Sequence, residues 1–514
     1  MNTRLVYSRR KMIVLLGGAA AASVLASCSA PAATPTAAPA AAAPTSAPAA
    51  PAAPVAPTAT QAPAPTAASV ATATTAPAAA PSATTAPAAQ AAPAAAGAVT
   101  IAFMYNQSEF PDPEGPDYVK ANPNVKISVI EPDPAHLMAM TTAGTPPDIF
   151  RLQAPELPGF LIRKLVYDLT PYFQTSTLLK LDDLHDVCKN YMYAGLNVGS
   201  GKIYGMVKDW SPDLTLWINK TIFQQQGVPV PADDKRLSYQ DIFTMSKKLT
   251  KTEGGKTIVM GFGGAAETWF DRLVEVQLNS KGKSLYSDDF GTLNLTSPDA
   301  KEVMQFWFDF AKANTWWNPL NPPASWSGES FAKSQEAIVQ FGFWYGGSVA
   351  QGAVGGGKAP QDTFMMLPAP TWGPTIQDPT ITATGGSVHA KTKHPDDTWK
   401  FFEYFMGGEP AMNRAKSGWG VPALKSLFQY LPSDTPFQKQ VKGVLDSELK
   451  ITGVQVRFNP YINPGEAIST NSLNASWQKN LEAALRGQIT FDAVLKNVVT
   501  DTNAVIAENL TLYK

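Results

Sequence analysis

Between Ser29 and Ala98 the chain uses only Ala, Pro, Thr, Ser, Val, Gln and Gly. Proline recurs every few residues, which removes backbone donors and bars helix. No side chain there is large enough to assemble a core, and none is charged or aromatic. The segment is expected to be a semi-extended spacer with polyproline II character. At about 3 Å per residue it would span on the order of 100 to 200 Å. Folded structure is thereby confined to residues 99–514, enough for two lobes of ordinary domain size.

What precedes the spacer reads as an address. Arg4, Arg9, Arg10 and Lys11 form a positive cluster, and Met12–Val24 is apolar but too short for a stable membrane span. Leu25-Ala26-Ser27-Cys28 then has the order of a lipobox, so residues 1–27 are expected to be a signal peptide. Cleavage would leave Cys28 to carry diacylglycerol, with 28–98 as its linker, a firmer anchor than one myristoyl chain. Ser8-Arg9-Arg10 followed by Lys11-Met12-Ile13 also resembles a twin-arginine export signal. The expected location is extracytoplasmic, on the outer face of the cell membrane. The second cysteine, Cys188, reads as a small buried apolar residue, and no disulfide framework is implied.

Charge and motif content narrow the function classes. Formal net charge is −1 with 16% of residues charged, so there is no basic excess to neutralise phosphates and nucleic acid is excluded as a partner. The four histidines lack zinc spacing, and no Gly-x-Ser-x-Gly or Walker-type loop occurs. Neither a metal nor a cofactor is expected. The acid pairs Asp182-Asp183, Asp233-Asp234, Asp288-Asp289 and Asp396-Asp397 sit in polar or Pro-flanked stretches, which favours solvated loops or helix starts over glycosidase chemistry. Residues 99–514 show no repeats of the kind a structural surface array carries. A non-enzymatic binder is expected, with a secreted lipid-anchored hydrolase as the alternative.

The folded region opens in α/β grammar. Val99–Tyr105 alternates as a strand, Asn122-Pro123-Asn124 turns, and Val125–Ile130 alternates again. A helix is expected around His136–Thr142, then a turn into the short apolar strand at Ile149-Phe150. "NPNVKISVI", "TTAGTPPDIFRL" and "GFLIRKLVYDLTPY" resemble the opening of family 1 extracellular solute-binding proteins, the maltose-binding-protein-like group. "GKIYGMVKDWSPDLTLWINKTIFQQQGVPVPAD", the amphipathic "SYQDIFTMSKKLT", "EAIVQFGFWYGGS", "GGSVHAKTKHPDDTWKFFEYFMGGE" and "LEAALRGQITFDAVLKNV" follow in the family's order.

The resemblance implies an α/β, two-lobe periplasmic-binding-protein type II fold with the ligand between the lobes. By analogy lobe 1 is 99–212 plus 381–420, and lobe 2 is 213–380 plus 421–514. It further implies a monomer that delivers a sugar or oligosaccharide to the permease of an ABC importer. Other members carry polyamines or other solutes, and such a ligand stays open as an alternative.

Sugars ask for hydrogen-bonding edges and flat aromatic faces. Trp344 with Tyr345 follows a strand ending at Gly342, and two glycines after them favour a loop at the cleft. The resemblance places a stacking Trp at this position; the competing reading is a core indole. Glu267, Trp269 and Phe270 follow the Gly-rich end of another strand, where the family sets an acid and aromatics, Trp269 replacing the usual Tyr; a first helical turn is the competing reading. Asn106 and Gln107 after the first strand, Asp209 and Trp210 at the first crossover, and Trp419 near a later one complete the set. Each of these also fits local turn bonding. Arg151-Leu152-Gln153 stand where relatives place a Trp and charges.

Overall fold

The computed structural model describes residues 98–350, 360–451, 456–462 and 472–513. The expected signal peptide, the Cys28 lipid site and the spacer lie outside them. Chain order gives β1 (Val99–Met104), β2 (Val125–Ile130), β3 (Ile149–Gln153), β4 (Met206–Val207) and β5 (Asp209–Trp210). A second stretch gives β6 (Leu216–Asn219), β7 (Lys251–Glu253), β8 (Lys256–Gly264), β9 (Glu336–Gln340) and β10 (Phe364–Leu367); β11 (Thr384–Val388) and β12 (Val421–Pro422) come last.

Ten of these strands form two five-stranded sheets of order β2-β1-β3-β11-β4 and β7-β8-β9-β6-β10, and β5 pairs with β12. In the first, β1 runs parallel to both β2 and β3, while β11 returns antiparallel between β3 and β4. In the second, β8 and β9 are parallel and β6 lies antiparallel between β9 and β10. Alternation sets the faces: Ile101 and Phe103 of β1 are wholly buried. Phe103 meets Phe405 edge-on, centroids 4.9 Å apart, in the first sheet's core.

Local signals set helix ends as the sequence leads one to expect. Pro134–Thr142 starts where Asp133 Oδ1 accepts from His136 N at 2.7 Å. Tyr239–Leu249 starts at a capping box, Ser238 Oγ accepting from Asp241 N at 3.0 Å and Asp241 Oδ2 from Ser238 N at 2.9 Å. Among the described residues no helix is long and apolar enough to cross a membrane.

The sheets are joined where the chain passes from β5 into β6 and returns from β10 into β11. Asp213, 1% exposed, fastens these crossovers together. Its Oδ2 accepts from Thr380 Oγ1, Ile381 N, Thr382 N and Thr382 Oγ1 at 2.8–3.0 Å, and its Oδ1 from Ser211 Oγ at 2.7 Å. Asp378 Oδ1 accepts from Leu214 N at 2.8 Å alongside. The strand β12 begins directly after Gly420, where the last passage is expected. β12 pairs with β5, and Ala423, Lys425 and Ser426 hydrogen-bond to His185 and Asp183. Helix Pro436–Glu448 then packs on the second sheet, Gln440 Nε2 donating to Met366 O at 2.8 Å.

Asp213→Ala would strand the buried N–H groups of Ile381 and Thr382, so a loss of about 3–5 kcal/mol in unfolding free energy is expected by urea denaturation. The half-exposed pair Lys442–Asp446, 2.8 Å apart on one helix, is the control; Asp446→Ala should change stability by less than about 0.5 kcal/mol. A loss at Asp213 no larger than the control's would mean that other contacts hold the crossovers.

Candidate functional site

Eight of the twelve tryptophans are buried. Of the other four, Trp326, Trp344 and Trp419 form one chain of ring contacts, while Trp372 packs on Tyr239 and Phe306. Trp344 lies four residues past β9, at the end of the second sheet where the parallel strands β8 and β9 finish. Its ring lies 5.3 Å from Phe341, 6.1 Å from Trp326 and 6.3 Å from Trp419. Phe341 is fully buried and forms the floor of this group. Instead of the expected loop, Tyr345–Ala350 is a short helix. Its glycines serve close approach: a Cβ on Gly347 would sit 2.9 Å from Trp419 Cα.

Two expected ligand aromatics belong to the core. Tyr345 is 1% exposed, and its hydroxyl donates to Gly328 O at 2.7 Å. Phe270 is wholly buried between Trp477 (4.9 Å, 8°) and Trp316 (6.3 Å, 16°). It is the first residue of a helix whose inward face must be filled. Trp269 is also buried and touches Phe341 edge-on at 6.4 Å.

Glu267 lies in the short helix Ala265–Thr268 after β8, with its carboxyl turned inward. It accepts from Gly264 N at 3.2 Å, Trp316 Nε1 at 3.1 Å and Ser327 Oγ. Glu336 opens β9 wholly buried and accepts from Trp317 Nε1 at 2.6 Å. Adjacent tryptophans thus each donate to one member of a carboxyl pair. Burial pushes Glu267 up to about 8. Burial, and then the neighbouring Glu267, push Glu336 well above the carboxylate range. Among the described residues neither acid has a salt-bridge partner.

At the first sheet, Asn106 and Gln107 make local turn bonds: Asn106 Nδ2 donates to Glu109 Oε2 at 2.8 Å and Gln107 Nε2 to Phe110 O at 2.9 Å. Glu109 gathers the charges at the ends of β1, β3 and β4. Arg151 Nε reaches it at 2.9 Å and Lys208 Nζ at 3.2 Å; Lys208 also pairs with Asp209. Burial opposes ionisation of Glu109, but Lys208 and Arg151 outweigh it and hold the carboxyl at about 2. Asp209 therefore belongs to this cluster, and strand alternation turns Trp210 to the opposite face of β5. There Trp210 stacks on His185 at 4.4 Å, donates to Pro422 O at 3.2 Å, and walls a separate cavity of about 850 Å³. Among the described residues Trp210 makes its ring contact with His185 and none with Trp326, Trp344 or Trp419.

Sequence reasoning did not single out Trp326, Phe341, Glu109, Lys208 or Glu336. For Trp326 a signal exists: a Trp in the turn-rich "PPASWSGES" has no periodic apolar neighbours to share a core with. The charges of the Glu109 cluster are far apart in sequence and carry none. Among the described residues no group of three or more His, Cys, Asp or Glu is placed to hold a metal.

Residues 105–411 match the family described as bacterial extracellular solute-binding protein. Among curated proteins no sequence relative matches. Solved structures share the two-lobe fold. An ABC substrate-binding protein from Listeria monocytogenes in complex with cycloalternan aligns with TM-score 0.64 at 19% identity, over 80% of this chain and 98% of that one. A maltose/maltodextrin-binding domain from Bdellovibrio bacteriovorus bound to maltotriose aligns at 0.59 and 14%, over 80% and 99%. An ABC transporter solute-binding protein from Agrobacterium vitis with bound D-mannitol aligns at 0.59 and 18%, over 80% and 99%.

The carboxyl pair has a pH consequence of definite sign. Glu267 releases its proton near its ordinary 4.5 when unfolded but near 8 when folded. Between these values the folded state binds more protons, so stability falls as pH rises. Glu336, also raised, acts in the same direction. Melting temperature is expected to decline from about pH 5 to about pH 8, and Glu267→Gln to flatten that decline. Calorimetry showing an unchanged slope in the variant would remove Glu267 as its source.

Proposed function

The chain belongs to the bacterial extracellular solute-binding proteins, and from that premise we propose that it binds a sugar or oligosaccharide between its lobes for an ATP-driven importer. In this reading Cys28 carries the lipid anchor, the spacer holds the lobes away from the outer face of the cell membrane, and a membrane permease is the partner. One lobe comprises residues 99–212 with 381 to about 431, around the first sheet; the rest, around the second sheet, forms the other. A ligand that favours the closed arrangement shifts the lobes toward it, and no bond is made or broken.

The observation that carries this reading is the meeting of Trp326, Trp344 and Trp419, the tryptophans that keep exposed surface beside the strand ends and a crossover. Flat apolar faces there suit the C–H faces of a sugar. The first-sheet charges neutralise one another within Glu109, Arg151, Lys208 and Asp209, which supports a neutral ligand over a polyamine. The Glu267–Glu336 pair faces inward onto indole N–H groups, which supports binding over glycoside hydrolysis.

The test uses the full chain in a thermal-shift screen of mono- and oligosaccharides. A ligand at 100 times its Kd should add about 2.7 kcal/mol of stability. Trp344→Ala should weaken that ligand about tenfold, by calorimetric titration, with the fold intact. A Trp344→Ala protein that binds as tightly as the parent would remove the platform assignment. Release of reducing sugar from any glycan in the screen would replace the binder with an enzyme.

A further inference from the structure

We propose that Arg163 and the end of the last helix form a clasp that holds the two lobes together before any solute arrives; this rests on the two-lobe reading above but on no ligand. Arg163 belongs to the first sheet's side. It follows the helix Leu157–Ile162, whose Phe160 stacks on Phe150 of β3 at 5.3 Å. Its Nη1 donates back to Gly159 O at 2.9 Å, which sets the guanidinium at the helix end.

The other half comes from the second sheet's side. Helix Phe491–Tyr513 has 23 residues, a length of about 34 Å. Its start packs Phe491 on Phe308 of helix Pro298–Lys312, 5.1 Å apart, and Phe310 of that helix stacks on Phe262 of β8 at 5.3 Å. Further on, Asn497 Nδ2 donates to Asn480 Oδ1 and Asn503 Oδ1 accepts from Leu293 N, both at 2.8 Å. The helix is thus fixed along its length to one lobe, while its end meets the other. There Asn509 Oδ1 accepts from Arg163 Nη2 at 3.3 Å, and the guanidinium lies over the Tyr513 ring, 4.3 Å from its centroid. Asn509 is buried and donates through Nδ2 to Tyr461 O at 2.6 Å, so its amide is already oriented for Arg163.

The crossovers connect the lobes whatever angle they take, whereas a contact between elements of different lobes is lost when they part. Among the described residues the donors to Asp213 come from Ser211 and residues 380–382, so the clasp is a separate fastening. Arg163 has no salt-bridge partner among the described residues. Its partners across the lobes are an amide and an aromatic face, together worth a factor of about ten in an equilibrium. That strength suits a fastening that opens and re-forms. A solute entering between the lobes waits for the opening, so the clasp sets a ceiling on its association rate.

The experiment is single-molecule energy transfer on the full chain without ligand. Exposed Lys120 and Lys312, one on each side, are replaced by p-acetylphenylalanine and labelled with donor and acceptor dyes. The parent protein is expected to show one dominant transfer efficiency. In Arg163→Ala a second population should rise, its ratio to the first about tenfold above the parent's. Tyr513→Ala removes a ring that is 36% exposed and should raise the same ratio about threefold. An Arg163→Ala ratio within twofold of the parent's would overturn the clasp, as would a parent protein already divided between two populations. No sugar is added, so either result stands apart from the outcome of the saccharide screen.

Discussion

One buried carboxylate, Asp213, governs how the two sheets are joined. Five donors converge on it from both crossovers, two of them backbone N–H groups that have no water to turn to. Burial pushes this carboxyl up, and the donated bonds pull it back toward the charged form. The knot fixes where β6 leaves and where β11 begins, and so which strand ends face one another. Arg272 adds a strut from the second sheet's helix, its Nη1 donating to Ile381 O at 2.8 Å and to Gln153 Oε1 of β3 at 2.9 Å. A hinge needs short segments that bend while their neighbours stay rigid. The polar knot is a fixed part of this kind, its donors and acceptors held at 2.7–3.0 Å.

Against that frame the aromatic residues divide by a simple rule. Rings on inward helix or strand faces are buried among other rings, as Phe270 is between Trp477 and Trp316. A few rings in the segments flanking β9 and just before β12 keep part of their surface in solvent. Trp326, Trp344 and Trp419 belong to the second kind, and contacts make them neighbours although they lie far apart in sequence. The first sheet contributes charge of both signs but little net charge, because Arg151 and Lys208 are already bound to Glu109 and Asp209.

Local rules made much of this legible. Period-two runs located β1 and β2, a Ser-x-x-Asp box located helix Tyr239–Leu249, and the end of an apolar strand located Trp344. Long-range geometry was not legible. Asp209 and Trp210 are adjacent, so treating them as one contact group ignored the alternation that sends them to opposite faces. Their neighbours in sequence make Tyr345 and Phe270 candidate ligand surfaces, yet each fills a hole that only the folded lobe creates. Glycines 346 and 347 favour a loop by residue type, whereas in the fold Gly347 lets Trp419 approach. The link between Ala423–Ser426 and Asp183–His185, like the pairing of β12 with β5, has no local signature.

The carboxyl pair explains why the exposed indoles can be rigid. Trp316 and Trp317 each bury an indole N–H that needs an acceptor. Glu267 and Glu336 provide it, and Glu267 also anchors Ser327, the residue after Trp326. Two amides in their place would bring N–H donors of their own into a site already crowded with donors. Two ionised acids would repel one another without a cation nearby. A pair that keeps a proton avoids both costs, and Glu336 Oε2, without a donor partner, is the oxygen free to carry it. The same buried pair thus joins the indole N–H groups of Trp316 and Trp317 to Ser327, next to Trp326.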